Sequence, residues 1–518
     1  MKLRLSKKYI TIIMAIAVLT AAVYTIVNKQ DRTINIEDGT IPLGAEFIPA
    51  KDAGMVPGEK GAASKNANQL IKALNQYGHV IIDDSYYITT PTETLTTRDV
   101  EITGIDNAEL VADNNSSTRL FDTAKLSSFS LADLTIRNIN SDAVLFVVYN
   151  GEKIDNKVEI VNVEGCTFLG NITLYRQYGN TSLDPEITDF GVGDFIFRNN
   201  KVYNTEYSFI VLQDIPVKYC EISNNSIQNF MYSFLCLGIS NDIQYEEKLY
   251  SAIEYLKVDS NKVICDDTWW GKTSSGSYYT FMLFEGTEVL YNNNHVEGMK
   301  TLDNIALYDA YLSAQTVNYT NNTWINNICF ADDKVNNTLL KSKGGGSDLL
   351  LRNYSGNTFI VEESFAERIG QSKDNLHVDF ISLTRYVDTY TIANNNFDIY
   401  DLRFPASSLE ISSLRFNDNI IKASKASGNL AIVRLADEYS ADLVEVKDNI
   451  IDITDIADKP LNLLKVVDAR LVSKENFKNI NVSGNQMTAP ISYLFYTAFT
   501  DNLVFSDNKI TDVSDKFS

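Results

Sequence analysis

Apolar and polar positions along this chain recur in one phrase, apolar-x-x-Asn-x-apolar. It is set by Phe197, Asn200 and Val202, then by Ile222, Asn225 and Ile227, then by Val258, Asn261 and Val263. The phrase returns around Asn294, Asn322, Asn357, Asn395, Asn419, Asn449 and Asn485, and last as Phe505, Asn508 and Ile510. Two earlier copies keep the frame with another key residue: Cys166 between Val163 and Phe168, and Leu134 between Leu131 and Ile136. Key positions lie 23 to 38 residues apart, a repeat with loops of variable length. Asparagine tolerates the left-handed backbone region, because its short amide bonds locally to the main chain. The key asparagine is therefore expected to make a sharp bend between two short strands. Bends repeated at one place stack at the inter-strand spacing of about 4.8 Å, which predicts an amide ladder.

A further apolar strand precedes each phrase by two strands. Examples are 208–213, 233–237, 280–284, 304–308, 378–383 and 429–433. Strand, turn, strand, Asn bend, strand and variable loop make one coil of a parallel β-solenoid. A β-sandwich would show alternating strands without this three-strand period. Ahead of the coils, Ala67, Leu70, Ile71 and Leu74 fall on one helical face, closed by Gly78 and followed by the strand-like His79 to Asp83. This amphipathic helix is expected to cover the open end of the first coil, which would otherwise present unpaired backbone to other chains. No such cap follows Ile510, so the C-terminal edge is expected to stay open to a partner or to self-association.

The Asn phrase and the cap helix together resemble the right-handed parallel β-helix superfamily, the pectate-lyase-like fold. The resemblance covers roughly residues 50 to 518. It implies an all-β, single-stranded right-handed parallel β-helix with a short N-terminal capping helix. It also implies a ligand groove along the strand two before the phrase, where stacked coils offer a linear site to a linear polymer. Fold alone does not assign activity. The polygalacturonase signatures Gly-His-Gly and Asn-Thr-Asp are absent, as is the Arg-x-Pro-x-x-Arg of pectate lyases, so no catalytic residue carries over.

Composition narrows the partners. The chain has 518 residues, 44% of them hydrophobic, and a formal net charge of −22. Nucleic acid is excluded as a natural partner, since its binding depends on Lys and Arg neutralising phosphates. Cys166, Cys220, Cys236, Cys265 and Cys329 form no metal spacing, and most sit in apolar strand contexts. At the N-terminus, Lys2, Arg4, Lys7 and Lys8 precede an apolar run from Ile10 to Val27. Residues 1–27 therefore read as a signal anchor, or as a cleaved signal peptide, that exports the rest of the chain. Residues 28–50 read as a tether and 51–518 as the β-helix domain.

Candidate chemistry clusters at the ends of the groove strands. Glu285 follows Phe284, Asp309 follows Tyr308, and Asp332 and Asp333 follow Ala331. Carboxylates on neighbouring or alternate coils would be spaced as glycosidase pairs are, and one would have its pKa raised to serve as acid. Glu285, Asp309 and Asp333 could instead hold Ca²⁺ for a polysaccharide lyase. Equally, such acids form an ordinary rim on an acidic protein. Arg176, Arg385 and Arg434 fall in equivalent places; the first two are candidates to grip a sugar carboxylate. The loop from Asp266 to Tyr279 holds Trp269, Trp270 and Tyr278, aromatic platforms for sugar rings. The expectation is an exported protein that binds a polysaccharide and cleaves or epimerises it. The alternative is a non-catalytic adhesin or assembly scaffold.

Overall fold

The computed structural model describes residues 47–113, 118–122, 126–140, 144–148, 157–178, 191–206, 208–213, 215–230, 233–238, 253–266, 279–283, 288–298, 300–301, 315–331, 334–335, 337–342, 349–368, 370, 372–373, 376–383, 386–404, 411–428, 431–436, 441–456, 461–467, 477–489, 491–496 and 500–512. All belong to one compact unit, Phe47–Ser518. The chain winds as a right-handed parallel β-helix. Its first sheet has sixteen strands, from Ile48–Pro49 to Thr500–Ser506. Each strand pairs in parallel with its counterpart one coil on, as Phe197 with Ile222 and Ile222 with Val258.

Strands of the first sheet form because apolar residues alternate with polar ones over a short run. In Ile253–Asp259 the inward Ile253, Leu256 and Val258 are buried, and Glu254, Tyr255, Lys257 and Asp259 face out. After the Asn phrase the chain enters a second sheet, as in Lys201–Thr205, Ser226–Phe230 and Lys262–Ile264. A third sheet of six strands runs from Thr118–Asp122 to Tyr279–Leu283. Farther on, the third side changes. His377–Leu383, expected as a groove strand, pairs with Asn337–Ser342 and with the far end of Asn396–Phe404, a continuation of the second sheet. Three strands, Ala431–Ala436, Leu461–Val467 and Ile491–Tyr496, then resume a separate third side.

The bend itself corrects the sequence reading. The left-handed residue is the one before the key asparagine: Asn199 (φ 58°), Asn224 (55°), Ser260 (57°), Asn293 (54°), Asn394 (56°) and Asp507 (59°). The key asparagine instead turns its side chain inward. Asn200, Asn225, Asn261, Asn294, Asn322, Asn357, Asn395, Asn419, Asn449 and Asn485 are all at most 1% exposed. The predicted ladder is present. From Asn225 to Asn485, each amide Nδ2 donates to the next rung's Oδ1 at 2.8 to 3.0 Å. Each also donates to a carbonyl of the preceding coil, as Asn395 does to Tyr354 O at 2.9 Å. The backbone N–H of each rung donates to the same next Oδ1, beginning with Cys166 N to Asn200 Oδ1 at 2.8 Å. A short buried amide can satisfy all these groups at once, which explains why the position accepts so few residue types.

The cap helix spans Ala63–Tyr77 and ends at Gly78 (φ 74°), whose N–H donates to Leu74 O at 2.7 Å. Leu70, Ile71 and Leu74 are buried against the first coil. Asn66, fully buried on the same face, pins the helix by accepting from Val56 N–H and donating to the carbonyls of Val56 and Tyr87. No helix among the described residues is long and apolar enough to cross a membrane, and Ile10–Val27 lies outside them.

Candidate ligand-binding face

Glu285, Asp309, Asp332, Asp333, Trp269, Trp270, Tyr278 and Arg385 lie outside the described residues. The strands ahead of Glu285, Asp332 and Arg385 are described; residues 302–314, which include Asp309, are not. Tyr279–Leu283, ahead of Glu285, is the last strand of the six-stranded third sheet. Ile328–Ala331, ahead of Asp332, pairs instead with Lys300–Thr301 and then antiparallel with Lys334–Val335. Among the described residues no group of three or more His, Cys, Asp or Glu could hold a metal ion, and the three calcium candidates lie elsewhere. Arg176 sits half-buried in the third sheet, in register with Val148 and Val211, which are 3% and 4% exposed. Arg434 is also half-buried, and burial lowers its pKa. His295 lies on the second sheet between Lys262 and Thr323, with Nε2 3.3 Å from Glu297.

The aromatic loop 267–278 is rooted at both ends. Asp266 donates its N–H to Asn229 Oδ1 at 2.9 Å and accepts from Asn229 Nδ2 at 2.7 Å. Asn229, itself left-handed, also donates to Asn204 Oδ1, forming a short second amide ladder at the next corner. On the far side of the loop, Tyr279 is in register with Ser233 of the preceding coil.

A constellation that sequence reasoning missed lies on the outer face of the first sheet. Tyr219 and Tyr255 occupy equivalent positions on adjacent coils and stack, with ring centroids 5.6 Å apart and planes within 4°. Tyr219 donates its hydroxyl to Glu221 Oε2 at 2.9 Å. Glu221 Oε1 accepts from Ser223 at 2.8 Å and from Lys257 at 2.9 Å. Burial alone would raise the Glu221 pKa, but the hydrogen bonds from Lys257, Ser223 and Tyr219 outweigh it and hold the carboxyl below its usual range. With its acceptors engaged and its charge stabilised, Glu221 is a fixed anion and a poor general acid. Burial, followed by Glu221, pushes the Tyr219 hydroxyl up, so it remains a neutral hydrogen-bonding group.

Beyond this pair the row continues with Glu288, in register with Tyr255, and neighbouring outward positions become amide-rich. Asn292 donates to Asp259 Oδ1 at 2.9 Å and accepts from Thr320 at 2.7 Å; Asn353 donates to Asn318 at 3.1 Å and accepts from Ser355 at 2.5 Å. These contacts orient side chains on successive coils before any ligand arrives. A signal for this face did exist in the sequence. Tyr219 and Tyr255 each stand six residues ahead of a key asparagine, so superimposing the phrases puts Tyr over Tyr and Glu221 over Lys257. Comparison of the chain with known proteins finds no matching family model, no matching curated protein and no matching solved structure, so its function must be read from its own geometry.

Proposed function

We propose that this chain is an exported β-helix that binds a linear polysaccharide running across its coils. The observation that carries this reading is the stacked pair Tyr219 and Tyr255, continued by oriented hydroxyl and amide groups from Asn292 to Ser355 on the same sheet. Hydroxyl-rich ligands suit neutral donors and acceptors repeated once per coil, and tyrosine adds an apolar edge with a polar tip. The Trp269 and Trp270 loop would supply further sugar contacts, and the run Ile10–Val27 the export signal or membrane anchor. In its enzymatic form, the reading assigns cleavage or epimerisation to Glu285, Asp309, Asp332 and Asp333, with Ca²⁺ as the candidate cofactor and Arg176 and Arg385 on an acidic sugar. The chain's resemblance to the pectate-lyase-like superfamily supports this reading by architecture alone.

The test is incubation of the protein with a panel of neutral and acidic polysaccharides, with and without Ca²⁺, following binding, new reducing ends and unsaturated-uronate absorbance. Tyr219→Ala with Tyr255→Ala is expected to weaken binding about tenfold, the size of effect that loss of aromatic contact gives. Product formation abolished by Glu285→Gln with Asp309→Asn would establish the enzyme. Unchanged binding in the tyrosine variant would remove this face from the reading. A second reading, the assembly scaffold, is favoured by a specific feature: Leu503, Val504 and Phe505 are 44% to 50% exposed on Thr500–Ser506, the last strand of the first sheet.

A further inference from the structure

The outward row that carries the tyrosine pair is bounded by carboxylates. Across four successive coils the equivalent positions are Asp194, Tyr219, Tyr255 and Glu288. At about 4.8 Å per coil, the two acids stand about 14 Å apart, one on either side of the stack. The rings are parallel within 4° and cover each other's inner faces. The outer face of Tyr219 is therefore turned toward the coil of Asp194, and that of Tyr255 toward the coil of Glu288. After burial, Glu288 is the strongest influence on the Tyr255 hydroxyl, and both raise its pKa.

The charges on this part of the face do not cancel. Lys257 is taken up by Glu221, and Lys218 stands beside Glu254, between the register pairs Val217–Ile253 and Tyr219–Tyr255. Asp194 has Ile160 and Tyr219 as its neighbours in register, and Glu288 has Tyr255 and Thr316, so no base stands opposite either acid. Asp259, farther along the strand of Tyr255, is met by the amide of Asn292. An ammonium group placed beside Asp194 or Glu288 would gain a carboxylate and the face of a tyrosine together, two attractions that both favour a cation. A uronate in the same place would meet like charge, on a protein of net charge −22. The acids are too far apart to share one metal ion, whose oxygen ligands lie about 2.3 to 2.6 Å from it.

We propose that the glycan bound by this face is built from amino sugars whose nitrogens are free rather than acylated, a de-N-acetylated hexosamine polymer. The apolar sides of its rings rest on the tyrosines, and its ammonium groups reach Asp194 and Glu288 on either side. Tyr219 and Tyr255 then supply the platform, and the two acids set the specificity. The inference rests on the glycan-binding reading and names the ligand class of this face alone.

The test uses the full chain and two oligosaccharides of equal length, one of glucosamine and one of N-acetylglucosamine. They are titrated calorimetrically at about pH 6, where carboxylates are ionised and amines protonated. The glucosamine oligomer is expected to bind at least about tenfold more tightly, and added salt to weaken that oligomer alone. Asp194→Asn with Glu288→Gln keeps the shape of both side chains and is expected to bring the two affinities together. Tyr219→Ala with Tyr255→Ala is expected to weaken both oligomers. Equal binding of the two by the unaltered chain would overturn the inference and leave the glycan-binding reading standing. A preference that survives the carboxamide variant would overturn it too, because the preference would then belong to the general negative charge of the chain. Binding of neither oligomer would also overturn it, and the glycan-binding reading would fall with it only if the neutral and acidic polysaccharides are ignored as well.

Discussion

At the residue scale, two adjacent positions at each bend have opposite demands. Asn394 needs a left-handed backbone, whereas Asn395 needs a buried amide that donates to Tyr354 O and Asn419 Oδ1. Asn394→Gly is expected to leave stability nearly unchanged and Asn394→Ala to cost about 1 kcal/mol, because only the alanine strains the left-handed region. Asn395→Ala is expected to cost about 3 kcal/mol, since it leaves the Asn357 N–H buried without its acceptor, whereas Asn508→Ala at the half-buried last rung should cost about 1 kcal/mol. Urea-unfolding midpoints of the four variants check the order. The ladder was legible from the phrase alone. Assignment of the bend to the wrong neighbour was avoidable, for the residue before each key asparagine from Asn200 on is Asn, Ser, Gly or Asp. Where it is Gly484 (φ 69°), the left-handed backbone is met by the residue that has no Cβ to strain it.

At the scale of elements, strands hold one another through side-chain rows as well as backbone. Glu221 links three strand positions, and its lowered pKa ties those links to pH. Because the folded value lies below the unfolded one, the native state binds fewer protons than the unfolded chain as pH drops past 4.5. The stabilisation is complete above the unfolded value and is lost as pH falls through the folded one. Glu109, held by a two-point contact with Arg137, behaves likewise. Glu221→Gln is therefore expected to flatten part of the acid-side decline in melting temperature, as read by circular dichroism between about pH 5 and 3. Tyrosines 36 residues apart have no local pattern to mark them, so this network was invisible to a reading taken strand by strand. First-sheet strands and the cap helix were readable because each buries a periodic apolar face. The third side was less so: His377–Leu383 looks like a groove strand by composition and joins the second sheet by register.

At the scale of the molecule, the first coil is finished by the cap helix. Leu74, fully buried beneath the cap helix, marks the closed end. Leu74→Lys should loosen that cap and expose the edge of the first coil, and light scattering is expected to show concentration-dependent association that the unaltered chain lacks. The ladder has a direction of its own. From Asn225 on, each rung's amide nitrogen reaches toward the C-terminal end and each oxygen back toward the cap, so the side-chain dipoles add along the axis as peptide dipoles do in a helix. The solenoid is in this sense a polar rod. Its positive pole is Asn508, and an arriving group that offers a carbonyl oxygen or a carboxylate is favoured there over one that offers only hydrogens.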